Sequence, residues 1–223
     1  MNPRYPLLAA TAVFAVILAC SKSSSASAIP ATGGPDSALL RRADRARIEG
    51  SASAPVWVVE VSDFQCPYCR QFHDESYAEL KRAYVDSGKV RLAYVNFPLP
   101  MHRNAFAASE AAMCAAAQDK FWQMHDALFA TQKKWESLPA PQAAFDSLAA
   151  AQGVEPAAFR KCVSNHITKP MIEADIDRAT KQGVESTPTF LIGGMMVTGA
   201  QPLANFRRAI DSALVLAAGA AKH

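Results

Sequence analysis

The chain has 223 residues, half of them hydrophobic, enough for one domain with a sizeable core. Its formal net charge is +3, from 23 basic and 20 acidic side chains. That leaves no field strong enough to hold nucleic acid or an anionic membrane surface, so partners of that kind are not expected.

Arg4 gives a weakly positive start, and Leu7 to Ala19 is then a run of 13 small or apolar residues. The run is short for a bilayer span, which takes about 20 residues, and suits the apolar stretch of an export signal. Ile17-Leu18-Ala19-Cys20 resembles a bacterial lipoprotein box, in which Cys20 would be acylated after cleavage. The competing cut follows Ala26-Ser27-Ala28. Residues 1–19 therefore read as a lipoprotein-type signal peptide, and either cut exports the chain to a compartment where disulfides persist. Residues 20–38, rich in Ser, Ala, Gly and Pro, read as a flexible tether.

Leu39 to Ile48 reads as a charged helix. Val56–Val61 is a strand apolar on both faces except at Glu60. A carboxylate in such a strand is costly to bury without a partner or a task, and the alternative is a place at the sheet edge, facing water. Cys66-Pro67-Tyr68-Cys69 follows, and Phe72, Tyr77, Leu80 and Tyr84 then recur at helical spacing, which predicts a helix over Pro67–Ser87. Pro67 fits the first turn, where its missing N–H costs nothing. Two cysteines at this spacing on a strand-to-helix turn are a dithiol. The positive end of the helix favours the thiolate of Cys66, and the thiolate is the reactive form. A zinc ligand pair would need a second close pair, which Cys20, Cys114 and Cys162 do not make, so no metal is expected.

Val90–Phe97 is a second apolar strand, ended by Pro98 and Pro100. Helical segments follow over Asn104–Ala117, Phe121–Thr131, Gln142–Ala151, Pro156–Ser164 and Lys169–Gln182. Strands Thr189–Ile192 and Met195–Thr198 flank Gly193-Gly194, a two-residue hairpin signal. A helix from Pro202 to about Ala217 closes the chain. Five cysteines are odd for an exported chain. With Cys20 lipidated, Cys66 pairs with Cys69 and Cys114 with Cys162 as a structural disulfide. Two unrelated buried thiols remain the alternative for the second pair.

This order makes a parallel strand–helix–strand unit, a helical block, and a hairpin with a covering helix. It is an α/β thioredoxin fold with a helical domain inserted between the second and third core strands. Residues 39–101 and 183–223 would form the thioredoxin-like domain and residues 102–182 the insert. Ser62-Asp63-Phe64-Gln65-Cys66-Pro67-Tyr68-Cys69, Phe97-Pro98-Leu99, Phe121-Trp122 with His125-Asp126 and Leu128-Phe129, and Ser186-Thr187-Pro188-Thr189-Phe190 together carry a resemblance. On these residues the chain resembles the DsbA-like branch of the thioredoxin superfamily, close to its bacterial thioredoxin_4-type members, over about residues 47–215.

The resemblance implies an exported thiol:disulfide oxidoreductase without cofactor, acting on cysteine-containing exported proteins. It would be a periplasmic, lipid-anchored monomer, reset by a membrane redox partner. A disulfide-forming oxidase is the first reading; reductase, isomerase and a non-catalytic peptide-binding or chaperone module stay open. Cys66 would be the exposed nucleophile and Cys69 the buried resolving thiol. Glu60 would sit under the active site and assist proton movement to and from Cys69. Pro188 would be a cis-proline facing the dithiol, with Thr187 beside it offering backbone groups to substrate. Pro67, Tyr68 and Phe64 would form an apolar lip for unfolded substrate, Met195 and Met196 less directly. His73 is expected on the exposed face of its helix, His125 as a hydrogen-bonded structural residue, and His102 without a role.

Overall fold

The computed structural model describes Met1 and residues 35–220. Cys20 and the signal segment lie outside the described residues. The tether ends earlier than residue 38, because helix α1 runs Pro35–Ala46. A proline fits a first helical turn, its fixed φ being preset for the helix, so the Pro-rich composition marks a helix start here. Ile48 leaves the helix and forms β1 (Ile48–Glu49), a short strand antiparallel to β3 (Val90–Asn96).

β3 pairs in parallel with β2 (Val56–Ser62), which a crossover must join. The crossover is one continuous helical run: α2 (Pro67–Phe72), a π-helical turn (His73–Tyr77), α3 (Ala78–Leu80) and a second π-turn (Lys81–Val85). Between β3 and β4 lie α4 (Ala105–Ala116), α5 (Phe121–Ala130), α6 (Gln132–Trp135), α7 (Gln142–Ala151), α8 (Pro156–Ser164) and α9 (Lys169–Lys181). β4 (Thr189–Ile192), β5 (Met195–Thr198) and α10 (Leu203–Ala220) complete the chain. The sheet order is β1-β3-β2-β4-β5, with β4 antiparallel to both neighbours. Gly193 and Gly194 turn the β4–β5 hairpin with φ of +54° and +91°. A Cβ on Gly193 would stand 2.7 Å from that of Ala213, so the turn also lets α10 close on the sheet.

β2 is thus a central strand. Its even-numbered residues share a face: Val56 and Val58 pack with Leu92 of β3, Phe190 and Ile192 of β4, Phe72 and Tyr77 of the crossover, and Phe206 and Ile210 of α10. On the other face Val61 packs with Ala179 of α9 and Val184. The helices between β3 and β4 share a core with the active-site end of the sheet: Phe64, Cys66, Cys69 and Tyr94 cluster with Met113, Phe121, Met124, Leu128 and Phe129. Cys114 of α4 and Cys162 of α8 form a disulfide across a sequence separation of 48. By chain entropy a link of that span contributes about 4 kcal/mol. Asp175 of α9, fully buried, accepts from Arg47 and from the backbone and side chain of Asn96, which ties the α1–β1 junction to the end of β3.

Candidate active site

β2 ends at Ser62 and the chain turns sharply, the Cys66 N–H donating to the Asp63 carbonyl at 3.1 Å. Cys66 is extended (φ −68°, ψ 126°) and caps α2, with Pro67 in the first turn. This places Cys66 Sγ where the free N–H groups of the helix point.

The turn is held from several sides. Asp63, wholly buried, accepts from the Gln65 N–H (2.7 Å), the Leu99 N–H (2.9 Å) and His102 Nδ1 (2.6 Å). Gln132, also buried, donates from Nε2 to the carbonyls of Phe64 (2.7 Å) and Cys66 (3.0 Å). Gln65 accepts from the Asn104 N–H (2.7 Å) and donates to the Glu136 carbonyl (3.0 Å). The expectation that His102 has no role is therefore corrected, and Gln132 carries no mark in the sequence: both reach the dithiol turn across long sequence separation, and neither lies in a local pattern that marks it. Gln132→Ala leaves the buried Phe64 carbonyl without its donor and the Cys66 carbonyl with the Arg70 N–H alone. Its expected cost is about 2 kcal/mol, read as a lower midpoint in denaturant unfolding.

Cys66 is 3% exposed, so its expected exposure is corrected: Thr187 covers it, and the thiol donates to the Thr187 carbonyl at 3.4 Å. The Thr187–Pro188 bond is cis. Cys69 is fully buried one turn on, its sulfur accepting from the Asp63 N–H at 3.5 Å. The two thiols are pushed apart. A hydrogen bond from Cys69 brings Cys66 down to about 6, against the cost of burial, with the Thr187 hydroxyl, short of a sound hydrogen bond, and the N–H groups of Cys69 and Tyr68 adding to the effect. Burial first, then the neighbouring Cys66, drives Cys69 well above the ordinary thiol range.

Pro67 and Tyr68 are exposed beside Cys66, Tyr68 at 62%. Phe64 is not: it is 0% exposed, stacked on Tyr94 at 4.9 Å and packed on Phe129 at 5.1 Å. The expectation that it lines a substrate lip is corrected, because the turn after β2 sends its ring into the core. Met195 and Met196 are partly exposed on β5.

Glu60 lies on β2 opposite Tyr94 of β3 and Phe190 of β4. It is 1% exposed, and neither carboxylate oxygen has a hydrogen-bond partner among the described residues. The hydroxyls of Ser62 and Tyr94 are likewise buried and unpartnered. Burial pushes the Glu60 carboxyl up to about 7; the Ser62 hydroxyl, short of a sound hydrogen bond, and His73 pull the other way.

His73 is not on the open helix face. The π-turn it begins carries it inward, leaving its side chain 16% exposed, with its ring 5.4 Å from Tyr77 and 5.6 Å from His125. His125 of α5 is 1% exposed, and its Nδ1 lies 2.8 Å from Asp126 Oδ1. His73 Nε2 lies 3.4 Å from the same oxygen. These three side chains could also present ligand atoms to a cation, all within 4.8 Å of one another.

The Thioredoxin_4 family, described as thioredoxin, matches residues 43–212. A probable disulfide bond formation protein D of Bacillus anthracis is 31% identical over 181 residues, covering 74% of this chain and 76% of that protein. The Na(+)/H(+) antiporter NhaA 3 of Salinispora tropica is 35% identical over 177 residues, which span 78% of this chain but 26% of the antiporter. Among solved structures, BdbD from Bacillus subtilis in its oxidised form superposes with a TM-score of 0.69 at 23% identity, covering 75% of this chain and 92% of that one. DsbA of Chlamydia trachomatis gives 0.69 at 18% identity, covering 76% and 92%. With the sheet order, the helices between β3 and β4 and the dithiol at the start of α2, these matches carry one conclusion: the chain belongs to the thioredoxin superfamily, in its DsbA-like thiol:disulfide oxidoreductase branch.

Proposed function

We propose that the protein is an exported thiol–disulfide oxidoreductase that introduces disulfides into cysteine-containing exported proteins. The observation that carries this reading is the placement of the dithiol: Cys66 caps α2, where the free N–H groups of the helix point, and Cys69 is fully buried one turn on, which lowers the first thiol and raises the second. A stabilised thiolate favours the reduced pair, and a pair favoured in its reduced form oxidises others. The names of the Bacillus relatives and the signal-like segment at residues 7–19 support both the chemistry and the export.

In the oxidised state a substrate thiolate attacks Cys66 Sγ of the Cys66–Cys69 bond. Cys69 leaves as a thiolate and takes a proton from Glu60. A second substrate thiolate attacks the substrate sulfur of the mixed disulfide, and Cys66 leaves as a thiolate, eased by its depressed pKa. Two electrons pass from the substrate to the dithiol. Oxidation by a membrane redox partner then resets the pair, and Glu60 takes the Cys69 proton as the bond closes. Thr187 and Pro188 would align the substrate chain, with exposed Tyr68 and Pro67 beside it. A lipid on Cys20 would hold the monomer at the membrane facing that partner.

The reduction potential tests the direction of flow. Equilibrated in glutathione buffers and read by thiol trapping, the pair is expected at about −120 to −180 mV, the range of strong oxidants and isomerases. A value near −270 mV, about that of thioredoxin, would make the protein a reductase.

A further inference from the structure

The turn after Phe72 is π-helical, and turns of that kind often mark functional positions in a helix. Its wider winding carries His73 inward, off the solvent face, with its ring centre 5.6 Å from that of His125 on α5. His73 belongs to the helical run that Cys66 caps, and His125 to the helices between β3 and β4. The two imidazoles meet at one carboxylate, that of Asp126.

Three nitrogens of this group face two carboxylates. His125 Nδ1 lies 2.8 Å and His73 Nε2 3.4 Å from the same Asp126 Oδ1, while His73 Nδ1 lies 3.4 Å from Asp74 Oδ1. Two neutral imidazoles carry two N–H hydrogens between them, and a carboxylate only accepts. One lone pair therefore faces an oxygen across one of these contacts unless a cation stands between them. His125 is 1% exposed and caged by the rings of Phe64, Tyr94, Trp122 and Phe129, so it is not free to turn away.

We propose that His73, His125 and Asp126 bind one divalent ion of the zinc class, which ties the helix of the dithiol to α5. One ligand atom from each lies within 4.8 Å of the others. Around zinc, four ligands at about 2.1 Å stand about 3.4 Å apart. His73 Nε2 and Asp126 Oδ1 already have that spacing, and the 2.8 Å pair opens by about 0.6 Å. Nε2 is the ligand atom of His73, because the hydrogen on Nδ1 points to Asp74; a carboxylate behind a ligating histidine fixes its tautomer and its orientation. His125 binds through Nδ1 and carries its hydrogen on Nε2, toward the core. Water fills the fourth position on the side of Asp126, whose side chain, 54% exposed, gives the ion its way in.

The donor set selects the ion. Two imidazoles and one carboxylate suit zinc and its neighbours among the first-row metals, whereas calcium and magnesium take oxygen ligands. Asp126 and Asp74 set two negative charges against the two positive charges of the ion. The expectation of no metal rested on the spacing of the cysteines; this set contains no sulfur, and only the fold brings its residues together. The site is independent of the role of Glu60 and of the direction of electron flow.

The test is zinc binding by the full chain with its dithiol oxidised and any remaining thiol alkylated, so that no thiolate competes for the ion. After metal is removed with a chelator, calorimetric titration is expected to give one zinc per chain, and zinc is expected to raise the melting temperature by mass action. Cobalt in place of zinc should show the intense visible bands of a four-coordinate ion without the near-ultraviolet band of a thiolate ligand. Asp74→Asn, which leaves the three ligands in place, is expected to weaken zinc binding about tenfold, and Asp126→Asn, which removes one, by more. Both positions are half-exposed, so neither substitution buries an unpaired group. No binding by the parent overturns the proposal and leaves a second proton on His73 as what joins these side chains. Equal binding by the parent and Asp126→Asn also overturns it, because the ion then sits elsewhere, as does magnesium binding as tight as that of zinc.

Discussion

Cys69→Ser is expected to accumulate a covalent complex with an unfolded substrate that carries a disulfide, the Cys66 thiolate bonding one substrate sulfur and expelling the other as a thiolate, and thiol reagents should release it, whereas Cys66→Ser is expected to form none and to exchange at the uncatalysed rate. The reason lies in the order of the two sulfurs. Cys66 caps α2 beside the exposed Tyr68, so a mixed disulfide forms there. Cys69 is one turn in and fully buried, so no substrate reaches it and its only target is Cys66. Without Cys69 the mixed disulfide has no internal resolving thiol. Non-reducing electrophoresis of the two variants reads this directly. Equal trapping by both, or by neither, would remove the assignment of nucleophile and resolving thiol and favour a non-catalytic peptide-binding surface.

Glu60→Leu should stabilise the fold and slow the chemistry. The native carboxyl titrates at about 7 against an ordinary 4.5. Between those values the native state binds more protons than the unfolded state, so stability falls as pH rises from 4.5 to 7. Above that window the deficit is complete, about 3 kcal/mol at 1.36 kcal/mol per unit. Leucine carries no charge to desolvate, so unfolding in denaturant should show the variant more stable by up to about 3 kcal/mol at pH 8 and the gap shrinking toward pH 4. Closure of the dithiol should meanwhile slow about 100-fold, the scale of a lost general acid–base group. A parental pH slope of stability, or parental closure, would mean that Glu60 is neither strained nor used.

Much of this site is legible in the chain because its signals are local. The cysteine spacing, the proline at the first helical turn, the hairpin glycines and an acid inside an apolar strand each sit within a few residues of what they specify. Phe64 is less so: strand alternation stops at Ser62, and past it the side-chain direction depends on the turn that Asp63 closes. His73 defeats a helical count because a π-turn shifts the register of the face after Phe72. His102, 39 residues from Asp63, and Gln132, 66 from Cys66, act only once the chain has folded back on itself. The start of α1 at Pro35 lies within a stretch whose composition also fits a tether.

The pH dependence of thiol alkylation in the reduced protein tests the central claim most directly. With iodoacetamide and the labelled cysteine located by mass spectrometry, the account predicts that of the two thiols of the dithiol Cys66 reacts, with a midpoint at about 6, and Cys69 stays unlabelled. A midpoint near 8.5, the unperturbed thiol value, or labelling of Cys69 at the same rate, would contradict it.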